Sequence, residues 1–352
     1  MVAGPPSKVY SQVGARRSDA IRRPRSTVHR KSRQLNDLNA SIAVTRDDVL
    51  AAAARIAKAV VRTELREVQL GGVPLWLKCE SLQTGGAFKL RGASNRLLQL
   101  NQAERDRGVV AFSSGNHAQG VAIAARRLGI AATIVMPSDA PALKIEGTRA
   151  EGARVIFYDR LTEDRTAIAA GLAARTGATV VPSFDDPHIV AGQGTVGLEL
   201  LDQLGRSPAR IIVPCGGGGL AAGIALACPD AEIVIVEPTG WDDMKESLAA
   251  GHIVPVAPGA PPTLCDALQT PRVSPITLGI LRARQATALA VSESEVEAAV
   301  RWAWQEQRLV IEPGGAVALA AMLAGKVAPK LDTVVVLSGG NIDPALHSRM
   351  IA

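Results

Sequence analysis

Aromatic residues make up only 3% of the 352 residues, with four Trp, four Phe and two Tyr. That leaves no ladder of aromatic side chains on which nucleic-acid bases could stack. No apolar run is long enough to cross a membrane, and no signal-peptide core precedes the first charged residues. Cysteine is scarce: Cys79, Cys215, Cys228 and Cys265 form no CxxC pair and no Cys/His cluster with metal-ligand spacing. A disulfide scaffold and a zinc module are excluded on those grounds, and a reducing cytoplasm is the expected setting. The net charge of +6 is also less than it looks. Residues 1–34 hold nine Lys and Arg against Asp19 alone, so the rest of the chain is near −2. The basic signal belongs to a Ser/Arg/Pro-rich tail, residues 1–36, which reads as disordered. The remainder has the charge of an ordinary soluble domain, with no patch for nucleic acid.

What is present is length, 47% hydrophobic content and a rhythm. From about residue 45, helical spacing alternates with short runs of Val and Ile. VPLWLKC (73–79), GVVAFSS (108–114), AATIVMP (131–137), ARVIFYD (153–159), ATVVPS (178–183), RIIVPC (210–215), EIVIVEP (232–238) and TVVVLSGGN (333–341) read as strands. Near-continuous apolar strands alternating with helices predict a parallel α/β architecture buried on both faces. Ligands bind such sheets at the carboxyl ends of the strands, and three strand-to-helix turns there carry unusual residues.

CGGGGLAAG (215–223) puts four glycines between a buried strand and a helix start. Gly216, Gly217, Gly218, Gly219 and Leu220 can wrap an anion with backbone N–H groups, aided by the helix dipole. No Lys-Ser/Thr follows, so it is not a Walker loop, and the match to a dinucleotide fingerprint is loose. SSGNHAQG (113–120) gathers Ser113, Ser114, Asn116 and His117 at a helix start, which suits a carboxylate. In LSGGN (337–341), Ser338 offers a hydroxyl that can meet a ring nitrogen without a formal charge. Lys89, in TGGAFKLRGASN (84–95), opens a helix, where the dipole disfavours a cation. A lysine that must be neutral, or must lose its charge in a covalent bond, gains from that position. An amine, a phosphate nest and a partner for a pyridine nitrogen are the parts pyridoxal phosphate needs.

The motifs KCESLQTGGAFKLRGASN, SSGNHAQG, PCGGGGLAAG, VEP, EPGGAVALAA and LSGGN together resemble the fold-type II pyridoxal-phosphate family, in its threonine/serine dehydratase and serine racemase branch. The resemblance runs from about residue 42 to 341. It implies a tryptophan synthase β-like α/β fold of two parallel-sheet, three-layer domains with the cofactor in the cleft between them. Residues 37–85 with 190–352 would form the large domain and 86–189 a small mobile one. Lys89 would be the Schiff-base lysine, Phe88 would pack beside the ring, Asn116 would touch its hydroxyl, the glycine loop would hold the phosphate and Ser338 would face the pyridine nitrogen. Ser113, Ser114, Asn116 and His117 would take the substrate carboxylate, with Ser114 able to act opposite Lys89. Glu237, Asp243 and the carbonyl of Trp241 would hold Mg²⁺ or Ca²⁺.

The implied reaction is dehydration of L-threonine or L-serine to a 2-oxo acid and ammonia. Serine racemisation, or dehydration of hydroxyaspartate or a hydroxyectoine-derived acid, are alternatives, and an acidic substrate would want an extra arginine. A homodimer or homotetramer is implied, with a small amino acid as the only other partner. The segment TLCDALQT (263–270) departs from the family pattern and places Cys265 near the cofactor. Eleven residues follow Asn341, so a feedback-regulatory domain is not expected.

Overall fold

The Val/Ile runs become strands because both of their faces are covered. In the computed structural model, which describes Met1 and residues 44–352, there are ten strands. They are β1 (Leu65–Leu70), β2 (Val73–Cys79), β3 (Val109–Phe112), β4 (Ala132–Pro137), β5 (Arg154–Tyr158), β6 (Thr179–Val180), β7 (Arg210–Pro214), β8 (Glu232–Pro238), β9 (Thr287–Val291) and β10 (Thr333–Leu337). The expectation for residues 1–36 lies outside the described residues.

Two sheets result, with orders β1-β2-β10-β7-β8-β9 and β5-β4-β3-β6. Every pairing is parallel except β1 with β2 at one edge. Alternation across the larger sheet is strict. Ile211, Val213, Ile233, Ile235, Val334 and Val336 enter one core layer. Ile212, Val234, Val236, Val335 and Leu337 enter the other. Each fully buried Val or Ile contributes about 1.5–3 kcal/mol relative to an exposed one, so the central strands β10, β7 and β8 form the rigid floor. The mixed α/β fold with parallel sheets is the one the sequence pattern predicts.

The sequence reading passes over two strands. β1 pairs with β2 through the turn Gly71–Gly72, where Leu70 faces Val73 and both glycines have positive φ, 58° and 78°. Two glycines between alternating runs are a hairpin signal that was available in EVQLGGVPL. β9, TALAV, has alanine at two of its five positions and carries little periodic signal. Helices Gln102–Arg107, Asp243–Ala250 and Pro344–Ile351 are likewise outside the sequence reading.

Topology brings the three turns to one place. β10 and β7 are neighbours, so Ser338 and the glycine loop follow adjacent strand ends. Ser113–His117 follow β3, the strand between β4 and β6 of the smaller sheet. A bridge between Ala87 and Gly339 ties the Lys89 turn to the Ser338 turn.

Candidate active site

A cleft of about 830 Å³, counted out to its open mouth, collects these segments. Phe88, Lys89, Ser113, Ser114, Asn116, His117, Gly216, Gly217, Gly219, Leu220 and Ser338 all line it. Glu237, Trp241 and Asp243 do not; they lie at the end of β8 and the helix start beyond it.

No capped helix starts on the cleft except the one at Arg165, whose cap Asp164 lies outside it. Thr45, Asn101, Asp164, Asp186, Ser274, Ser292 and Asp343 each cap a helix with a side-chain oxygen. Six described α-helices have no side-chain cap: those beginning at Ala142 and Asp243 start away from the cleft, and those beginning at Lys89, Asn116, Gly219 and Pro313 start on it. The orphan N–H groups and positive dipole ends of these last four are left for an anionic ligand.

The glycine loop is a cradle shaped by the absence of Cβ atoms. Gly218 sits at φ +84°, and a Cβ there would meet Met244. A Cβ on Gly217 would overlap the Phe184 ring, and one on Gly216 would press Thr270 at 3.0 Å. Among the described residues, no protein acceptor meets the N–H groups of Gly216, Gly217 or Gly218. Unclaimed donors around a space that side chains would otherwise fill suit a phosphate.

Lys78 and Lys144 are buried and Lys89 is half-buried on the cleft wall, and their partners separate them. Lys78 Nζ donates to Glu199 at 2.6 Å, and Lys144 Nζ to Asp266 at 2.7 Å and Glu312 at 3.1 Å. Among the described residues Lys89 Nζ has only the Ser183 carbonyl, at 3.3 Å, and it lies 5.1 Å from the centre of the Phe88 ring. Burial holds its amine down at about 8, partly offset by the charge of Glu312. An unpaired amine that gives up its proton near neutrality can attack a carbonyl.

The other predicted residues divide. Ser338 is buried at the β10 end, and its backbone holds Phe88 N–H at 3.2 Å, leaving its hydroxyl to the cleft. His117 turns its ring away: Nε2 meets the Val181 carbonyl at 2.9 Å, and burial pushes it down to about 3. Its ring therefore brings no positive charge to this helix start. Cys265 lies in the core and not on the cleft, which corrects the expectation from its segment. The next residues, Asp266 to Thr270, are the ones that line it.

The profile of the family described as "Pyridoxal-phosphate dependent enzyme" matches residues 56–339. The chain belongs to this family of pyridoxal-phosphate-dependent enzymes. An L-threo-3-hydroxyaspartate ammonia-lyase of Pseudomonas sp is 43% identical over 285 residues, covering 80% of this chain and 88% of the relative. An L-threonine ammonia-lyase of Thermotoga maritima is 37% identical over 316 residues, covering 88% and 78%. The solved maize serine racemase superposes with a TM-score of 0.82 at 35% identity, covering 87% of this chain and 96% of that one. The fold-type II architecture is shared, and three activities occur among proteins similar to this enzyme.

Sequence reasoning missed several lining residues of this pyridoxal-phosphate enzyme: Arg165, Ser183, Phe184, Asp266 and Glu312. Glu312 was visible in EPGG as a motif without a role. Arg165 opens helix Arg165–Thr176, is half-buried, and lies 5.7 Å from the centre of the Phe112 ring. Among the described residues its guanidinium pairs with no carboxylate.

Proposed function

We propose that this enzyme is an ammonia-lyase removing water from a 3-hydroxy amino acid, and that its preferred substrate carries a second carboxylate. 3-Hydroxyaspartate is that substrate; L-threonine and L-serine, expected from the sequence, are the neutral members of the same class. Arg165 carries the reading. A half-buried guanidinium on the cleft wall, with no protein carboxylate, supplies a planar fork for a carboxylate of the ligand. The 43% identity to a hydroxyaspartate ammonia-lyase supports it independently.

When bound, the cofactor supplies an electron sink for the pair left at the α-carbon. Lys89 would hold it covalently, the uncapped loop from Gly216 to Leu220 would take its phosphate, and Ser338 would meet its ring nitrogen without protonating it. As a free amine held down at about 8 by burial, Lys89 would take the α-proton. Ser113 and the N–H groups of Asn116 and His117 hold the α-carboxylate. The hydroxyl departs with a proton as water; the released enamine hydrolyses to a 2-oxo acid and ammonia. Ser114 is on the cleft wall and is a second proton carrier. If it reprotonates the α-carbon before the hydroxyl leaves, a D-amino acid forms as a minor product.

Arg165→Leu tests the substrate. A charged hydrogen-bond pair contributes about 2 kcal/mol, so kcat/KM for 3-hydroxyaspartate falls roughly 30-fold. L-Threonine turnover stays within about threefold. Equal losses on both substrates would contradict the assignment.

Residues 86–189 would form the mobile domain, and the four-stranded sheet lies wholly within them. A cytoplasmic homodimer or homotetramer completes the proposal, and four free, buried cysteines fit a reducing compartment.

A divalent cation at Glu237 and Asp243 belongs to the same reading. Both Asp243 carboxylate oxygens are buried with no well-formed hydrogen bond among the described residues, the nearby N–H groups of Asp243 and Val273 easing the charge only in part, and burial raises Asp243 to about 7. Glu237, fully buried, accepts N–H from Met244 and Lys245. An orphaned buried carboxylate beside a second acid fits Mg²⁺ or Ca²⁺, with carbonyls such as that of Trp241 and water filling the shell. No cluster of three His, Cys, Asp or Glu occurs there or elsewhere among the described residues. Saturating Mg²⁺ or Ca²⁺ raises Tm by about 5 °C, and Asp243→Asn removes that rise. A Tm insensitive to both cations and to chelator would overturn the site.

A further inference from the structure

Asn116 lines the cleft, but its side chain is gripped from behind. Its Nδ2 donates to Glu312, and its Oδ1 accepts from Asn341 Nδ2 at 2.9 Å. Asn341 is itself fixed, because the two N–H groups of the same Nδ2 are shared with the Gly85 carbonyl at 2.8 Å and Gln119 Oε1 at 3.0 Å as well. An amide's oxygen and nitrogen are nearly alike in shape, so its orientation rests on its partners. A backbone carbonyl and an ionised carboxylate only accept. From those two fixed acceptors Asn116 has one permitted orientation. Turned over, it would set Oδ1 against the Glu312 carboxylate and Nδ2 against Asn341 Nδ2.

The grip requires Glu312 to stay ionised, and burial pushes its carboxyl up while Lys144 and the Asn116 N–H pull it back down. Lys144, also buried, supplies the cation, its Nζ 3.1 Å from Glu312 Oε2 and 2.7 Å from Asp266. The chain leaves space for each member. A Cβ on Gly339 would strike the Glu312 carboxylate, one on Gly86 the Asn341 amide, one on Gly115 the Lys144 stem and one on Gly147 the Gln119 amide. Four glycines from four segments give way to four polar side chains, which marks a built network and not an incidental contact.

We propose that Glu312 and Asn341, with Lys144 holding Glu312, are positioning residues that fix the Asn116 amide so that its remaining N–H, not its carbonyl oxygen, is offered to the bound cofactor. The inference rests on the pyridoxal-phosphate reading and adds to it a group acting through Asn116 without touching the reaction. Glu312→Gln is the test because it keeps the shape and removes the fixed acceptor: a carboxamide can turn either end towards Asn116. The probe is pyridoxal phosphate itself, read by absorbance of the folded holoprotein. Glu312→Gln is expected to weaken cofactor binding about tenfold, and to move absorbance from the visible band of the lysine-bound cofactor towards the near-ultraviolet. Glu312→Asp restores part of the band. Asn341→Ala, which frees Oδ1, shifts the spectrum the same way and serves if Glu312→Gln does not fold. A merely structural role would lower Tm and leave the spectrum of the folded fraction unchanged. Wild-type and variants with superimposable bands and equal affinity would overturn the inference while leaving the cofactor assignment intact. A wild-type chain that forms no visible band would overturn both.

Discussion

Replacing Lys89 by alanine is expected to abolish both the visible absorbance of cofactor-loaded protein and at least about a thousandfold of turnover. The size follows from two roles in one side chain. Proton transfer by a placed base alone contributes roughly 10²–10⁴, and the covalent attachment is lost with it. Arginine at 89 is expected to fare no better: it keeps a cation, but cannot lose its proton or form the bond. The surrounding structure should tolerate the change. Among the described residues Lys89 makes one long hydrogen bond to a carbonyl and no ion pair, so Tm of the cofactor-free protein should stay within a few degrees. Steady-state kinetics on L-threonine and 3-hydroxyaspartate, with a spectrum of the same sample, checks both claims. Activity above a tenth of wild type would mean that another base serves.

Gly217→Ala is expected to have the second-largest effect, on cofactor affinity. Its Cβ would overlap the ring of Phe184, and Phe184 itself lines the cleft. Either the ring or the loop must yield. Overpacking of this kind costs about 2 kcal/mol, so the dissociation constant for pyridoxal phosphate should rise roughly 30-fold. The physical cause is separable. In Phe184→Ala the obstruction is gone, and adding Gly217→Ala to that background should weaken binding much less than in wild type. Equal penalties in both backgrounds would show that the Cβ acts on the loop backbone and not through the ring. Equilibrium dialysis, or absorbance titration with the cofactor, gives the four constants needed.

The glycine loop, the Ser113–His117 turn, Ser338 and Lys89 were legible in the sequence because each is a short run at a strand end. In a parallel sheet, strand ends converge without further information. Arg165 and Lys144 were not legible. Each stands on an amphipathic helix with the spacing of an ordinary surface cation, and only the placement of those helices turns one to the cleft and buries the other. Glu312 and Asn341 were in view inside motifs, but their joint hold on Asn116 links segments separated by 196 and 225 residues. No local pattern encodes that. Cys265 shows the converse error. Its neighbours reach the cleft, and a 3₁₀ turn over Asp266–Leu268 turns the thiol into the core.

Reductive trapping of the cofactor tests the central claim most directly. Protein loaded with pyridoxal phosphate is reduced with borohydride, digested and mapped by mass spectrometry. The account predicts one pyridoxyl label, on Lys89, because Lys78 and Lys144 are both ion-paired to carboxylates. A label on Lys78 or Lys144, or none anywhere, would contradict it.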